Sequence, residues 1–165
     1  MNVAVIGGHK CSQKHYLIAL ELGKLIAQEG WILICGGRTG VMEAACQGAH
    51  QVGGITVGIM PTEDGRDANP FVKVRIPTGL GYARNFLVVR AADIVVAVDG
   101  ECGTLSELAF ALSEEKTVLG IDTWDIPGVV AVKSAREAAD RIKRRLSARP
   151  KKSSGRQQKR CMSQK

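Results

Sequence analysis

Ile32-Leu33-Ile34-Cys35-Gly36-Gly37-Arg38-Thr39-Gly40-Val41-Met42-Glu43-Ala44-Ala45 runs from an unbroken apolar stretch through a glycine-rich turn into a segment of helical period. An apolar run with no polar alternation suits a strand buried on both faces, the habit of parallel sheets. The same unit recurs along the chain. Val3–Ile6, Thr56–Ile59, Val72–Ile76, Ile94–Val98 and Thr117–Ile121 are further β-branched runs bounded by Gly, Pro or Asp. Helical period marks His15–Glu29, Val41–Val52, Tyr82–Ala92, Leu105–Ser113 and Ser134–Leu146. Strands alternating with helices predict an α/β fold: a Rossmann-like open, mostly parallel doubly wound sheet of six or seven strands, with helices on both faces.

Composition narrows the function classes. The 165 residues are 45% apolar and 24% charged, which is globular and sized for one domain. No apolar run is long enough for a membrane span, and 4% aromatics speaks against a base-stacking platform. The net charge of +7 is unevenly spread. Arg149, Lys151, Lys152, Arg156, Lys159, Arg160 and Lys165 form a terminal stretch without acids, which leaves residues 1–148 with as many basic as acidic side chains. Residues 1–147 read as the ligand-binding domain and 148–165 as a basic tail too poor in apolar surface to fold. That tail is read as a solubilising extension, with salt-sensitive nucleic-acid contact as the weaker alternative. The five cysteines are odd in number and form no CxxC, which fits reduced thiols in a cytoplasmic protein. His9, Cys11 and His15 lack recognisable ligand spacing, so no metal site is expected there.

Ligands of such sheets bind beyond the strand carboxyl ends, at the switch in strand order. Four turns there are rich in glycine: Gly7-Gly8, Gly36-Gly37-Arg38-Thr39-Gly40, Gly79-Leu80-Gly81, and Asp99-Gly100-Glu101-Cys102-Gly103-Thr104. Glycine lets the backbone approach a phosphate, and a helix N-terminus offers it unpaired N–H groups. Neither GxGxxG after the first strand nor GxxxxGK[ST] occurs, so an ordinary dinucleotide site and a P-loop are disfavoured. Thr104-Leu105-Ser106-Glu107 has the spacing of a capping box, and so does Ser134-Ala135-Arg136-Glu137. Arg84, at a helix start, opposes the macrodipole unless Glu107 or a ligand anion compensates it.

Gly36 to Ala45, Ala83-Arg84-Asn85 and Gly100 to Glu107 together resemble the signature of the LOG-like Rossmann superfamily, which includes cytokinin-activating phosphoribohydrolases and molybdenum cofactor carrier proteins. The resemblance implies that Gly7, Gly8, Gly36, Gly37, Arg38, Thr39, Gly40, Arg84, Asn85, Gly100, Gly103, Thr104 and Glu107 hold a phosphate-bearing ligand. It also implies a homodimer or homotetramer, for which Phe86, Val89 and Phe110 are candidate interface residues. In the hydrolase branch Glu107 would activate water or stabilise charge on the ribose, with Arg84 orienting it. Asp99 and Glu101 stand where that branch has Pro and Gly, and they raise the negative potential at the phosphate unless they point away or a Mg2+ ion bridges them. The expected function is therefore binding of a nucleotide or molybdopterin-type cofactor, with molybdenum cofactor as carried ligand. The alternative is N-glycosidic hydrolysis of a nucleoside 5′-monophosphate.

Overall fold

The structure, a computed structural model, describes residues 1–148; Ala148 closes the last helix, and the rest of the basic tail, 149–165, lies outside the described residues. Seven strands run β1 (Asn2–Gly7), β2 (Ile32–Cys35), β3 (Thr56–Met60), β4 (Val74–Pro77), β5 (Ile94–Val98), β6 (Thr117–Ile121) and β7 (Val129–Ala131). Five α-helices accompany them: α1 (Gln13–Gln28), α2 (Val41–Gln51), α3 (Asn85–Arg90), α4 (Cys102–Ser113) and α5 (Ala135–Ala148). A 3₁₀ turn, Gly81–Arg84, leads into α3. The sheet order is β4-β3-β2-β1-β5-β6-β7, and every pairing is parallel. This is the doubly wound α/β sheet expected from the alternating runs.

Side-chain alternation divides the core. Val3 and Val5 face α1, α2 and α5, whereas Ala4 and Ile6 face α3 and α4. Burial of both faces explains why the central strands carry apolar residues at consecutive positions. Val89, expected at a subunit interface, is fully buried in the core of its own sheet. Phe86 instead stacks edge-on against Phe110 at 5.4 Å on the outside of the α3–α4 layer. No described helix is long and apolar enough to cross a membrane.

Local differences from the sequence expectation have physical causes. β7 spans only Val129–Ala131 at the sheet edge, too short and too exposed to leave a periodic signal. Val72 sits in a turn, its N–H donating to the Asn69 carbonyl, so β4 begins two residues later than its apolar run. The segment from Tyr82 starts as 3₁₀ and becomes α-helical only at Asn85.

The order reverses between β1 and β5. The chain builds outward from β1 to β4, then returns to the other side of β1. Gly7 and Val98 stand side by side at the carboxyl ends of these strands. Their connections diverge there and leave a crevice above the sheet.

Candidate functional site

The crevice is a cavity of about 440 Å³, within the range of small-molecule sites. Gly7, Gly8 and His9 from the β1 turn, Arg38 and Met42 from the β2–α2 connection, and Tyr82, Arg84 and Asn85 from the α3 entry line it. The first turns of α4 complete the wall with Glu101 to Thr104, Ser106 and Glu107.

α4 is entered abruptly. Asp99 has φ +53° and Gly100 φ +137°. A Cβ on Gly100 would stand 2.6 Å from the Thr104 side chain, so glycine is needed both for conformation and for space. Glu101 is the N-cap residue and makes no side-chain cap. The expected Thr104–Glu107 capping box is therefore not formed. Thr104 already lies inside the helix, which starts at Cys102, and Glu107 turns to Arg84. The N–H groups of Cys102, Gly103 and Thr104 precede the first intrahelical donor, Leu105, and carry no cap. They sit at the positive end of the helix dipole on the cavity wall, an arrangement suited to an anion. Ser134 and Glu137, by contrast, do form the box: Ser134 Oγ accepts from Glu137 N at 3.2 Å, and Glu137 Oε2 from Lys133 N at 2.8 Å.

A buried ion pair joins the start of α3 to α4. Arg84 and Glu107 are 7% and 6% exposed, with Nη1 to Oε1 at 3.5 Å. Arg84 Nη1 also donates to Asn85 Oδ1 at 2.7 Å, and Nη2 to the Gly36 carbonyl at 3.4 Å. Its Nε is buried without a hydrogen-bond partner among the described residues. The guanidinium fork thus has donor capacity beyond its protein contacts. Gly36 is shaped around it, since a Cβ there would come within 2.3 Å of Nη2. Burial pushes the Glu107 carboxyl up to about 7, with Arg84 pulling it back only in part. Burial likewise lowers the Arg84 guanidinium, opposed by Glu107. Asn85 ties this pair to α4: Nδ2 donates to Ser106 Oγ at 3.0 Å and to the Gly103 carbonyl at 3.3 Å.

The acidic residues of the α4 loop are turned to histidines. Asp99 Oδ2 is 3.0 Å from His15 Nδ1, and Glu101 Oε2 is 3.6 Å from His9 Nδ1. Among the described residues no group of three or more His, Cys, Asp or Glu could hold a metal ion. A Mg2+ site on Asp99 and Glu101 thus finds no support, because each carboxylate faces its own imidazole.

Of the residues singled out in the sequence, Gly7, Gly8, Arg38, Arg84, Asn85, Gly103, Thr104 and Glu107 reach the cavity wall. Gly36 lies behind the Arg84 guanidinium and Gly37 against Met60. Thr39 donates to the His9 carbonyl at 2.9 Å, Gly40 packs on Gly8 and His9, and Gly100 shapes the α4 entry. These five support the wall without lining it. His9, Met42, Tyr82, Glu101, Cys102 and Ser106 also line the cavity and were not among the ligand-binding residues expected from the sequence. Met42, Cys102 and Ser106 lie inside the quoted motifs, whereas Tyr82 carried no signal beyond its place near Arg84.

An open parallel α/β sheet with a cleft at its topological switch point defines a Rossmann-like protein. The chain belongs to the SLOG cluster4 family, which matches residues 1–152. It is 43% identical over 121 residues to an uncharacterised protein of Archaeoglobus fulgidus, covering 73% of this chain and 80% of that one. Among solved structures, it resembles the molybdenum cofactor binding protein of Rippkaea orientalis at TM-score 0.81 and 36% identity, covering 88% of this chain and 95% of that one. The molybdenum cofactor carrier protein of Chlamydomonas reinhardtii gives TM-score 0.81 and 33% identity, covering 88% and 98%. A more distant relative is the cytokinin riboside 5′-monophosphate phosphoribohydrolase of Mycobacterium tuberculosis, 29% identical over 120 residues, which are 65% of this chain and 62% of that one.

Proposed function

We propose that this chain binds a phosphate-bearing small ligand of the nucleotide or molybdopterin type, and acts as a molybdenum cofactor carrier. The observation that carries this reading is the uncapped start of α4, which lines the same cavity as the buried Arg84. Backbone N–H groups receive a phosphate, Arg84 adds positive charge to the same wall, and about 440 Å³ accommodates the attached ring system. The similarity to the Rippkaea and Chlamydomonas proteins supports the cofactor reading. Asp99 lies beside His15 and does not line the cavity, whereas Glu101 stays on its wall beside His9. Native mass spectrometry of protein purified from cells is expected to show a bound phosphate-bearing ligand. The same spectra are expected to show a homodimer or homotetramer, with the outer Phe86–Phe110 pair in its interface. Ligand-free protein whose melting temperature is unmoved by molybdenum cofactor or AMP would overturn the binding assignment.

A second reading is favoured by Glu107. A carboxyl pushed up to about 7 exchanges protons near neutrality, as a catalytic base or acid requires. In phosphoribohydrolysis the N-glycosidic bond breaks, water oxygen bonds to C1′, and the base leaves with a proton. Adenine release from AMP or an N6-substituted AMP, abolished in folded Glu107→Gln, would establish this reading. No release from any purine monophosphate would exclude it.

A further inference from the structure

The connection between β3 and β4 reaches the cleft through one buried side chain. Asn69 is 5% exposed, and its carboxamide is fully used. Nδ2 donates to the Gly37 carbonyl at 3.0 Å and to the Arg38 carbonyl at 2.9 Å, while Oδ1 accepts from Phe71 N at 3.1 Å. Its own backbone N–H donates to Gly37 O at 2.8 Å. Two acceptors on one side and a donor on the other leave a single orientation for the amide. An aspartate would set a carboxylate against two carbonyls, and an apolar residue would leave the Arg38 carbonyl without its partner.

The turn needs such a clamp. Gly36, Gly37 and Gly40 make it compact, but the same glycines give its backbone wide conformational freedom. Gly36 O is held by Arg84 at 3.4 Å, and Gly37 O and Arg38 O by Asn69, so three consecutive carbonyls are fixed by side chains from other segments. Arg38 is the member of this turn whose side chain lines the cavity. Its guanidinium is met by the same connection, with Nε 3.6 Å from Asp67 Oδ2, and Asp67 in turn accepts from Thr62 Oγ1 at 2.6 Å. Both the main chain and the charged head of Arg38 are therefore set by residues 62–69.

We infer that Asn69 is a positioning residue of the cleft, fixing the backbone from which Arg38 meets the ligand's anionic group. This rests on the ligand class given under Proposed function. Small displacements of a charged group are costly to recognition because orientation supplies much of its worth. Asn69 should thus act on affinity through Arg38, over and above any loss of stability from its own hydrogen bonds.

Two measurements test this on the full chain. The first needs no ligand: NMR order parameters of the Arg38 and Arg84 Nε–H groups and amide exchange over residues 36–40. In Asn69→Ala, Arg38 should lose order and residues 36–40 exchange faster, while Arg84 keeps its order. The second is calorimetric titration with AMP in a double-mutant cycle with Arg38→Met. Asn69→Ala should weaken binding at least fivefold in the native background and less than twofold beside Arg38→Met. Unchanged Arg38 order in folded protein, or equal losses in both backgrounds, would overturn the assignment. Asn69→Ser, which is shorter but keeps a hydroxyl donor, serves if the alanine variant does not fold. A native chain that binds neither AMP nor inorganic phosphate would count against the ligand reading, whereas the order parameters would still decide the role of Asn69.

Discussion

Replacing Glu107 by Gln should make the protein more stable at neutral pH and leave it nearly unchanged in acid. The carboxyl is buried and its pKa is raised from 4.5 to about 7. Between these values the folded state holds a proton that the unfolded chain has released, so native stability falls as pH rises. At 1.36 kcal/mol per unit, the loss amounts to about 3 kcal/mol and is complete once pH passes the folded value. Glutamine keeps the shape and is neutral throughout, so its variant escapes this loss. Urea unfolding of both proteins from about pH 4.5 to 8 gives the stability difference at each pH. Titration of Asp122 and Glu137, whose pKa values are lowered by Lys14 and by the Lys133 N–H respectively, is common to both and cancels. The difference should rise across this window in favour of Glu107→Gln and then level off. A difference flat to within about 0.5 kcal/mol, or one favouring the native protein at high pH, would refute the account of a carboxyl held near neutrality by burial.

Gly36→Ala should expel the Arg84 guanidinium, because the added Cβ stands 2.3 Å from Nη2. Breaking the pair leaves Glu107 buried alone, at a cost of about 3 kcal/mol in chemical unfolding at pH 8 and with loss of ligand-induced thermal shift; native-like values in both would contradict the assigned packing. Ser134→Ala removes the acceptor for the Glu137 N–H and should lower stability by about 1 kcal/mol without changing ligand binding. An affinity change there would mean that α5 communicates with the cleft.

Much of the architecture was written in local pattern. Runs such as Val3–Ile6 and Ile94–Val98, apolar at every position, can be satisfied only between two helical layers, and the structure places them at the sheet centre. The glycine turns after β1, β2 and β5 likewise marked the crevice end of the sheet, since tight turns and helix entries have local requirements. The Thr104–Glu107 spacing shows where such reading stops. It matched a capping box as well as Ser134–Glu137 did, yet only the latter forms one. The positive φ values of Asp99 and Gly100 start α4 at Cys102, and so carry Glu107 to Arg84 and leave the helix end free. That outcome depends on where the chain from β5 meets α3, which no local spacing encodes.

Sequence alone determined the layered parallel fold and the set of turns from which a site could be made, because burial on two faces and backbone freedom are properties of short segments. Tertiary structure alone decided which of those turns face a ligand. It brought Arg84 against Glu107 from residues far apart in the chain and gave Asn69 the carbonyls of a turn about thirty residues earlier. Burial and dielectric belong to the assembled crevice, so the raised Glu107 pKa and the unpartnered Arg84 Nε appear only once the sheet has closed around them.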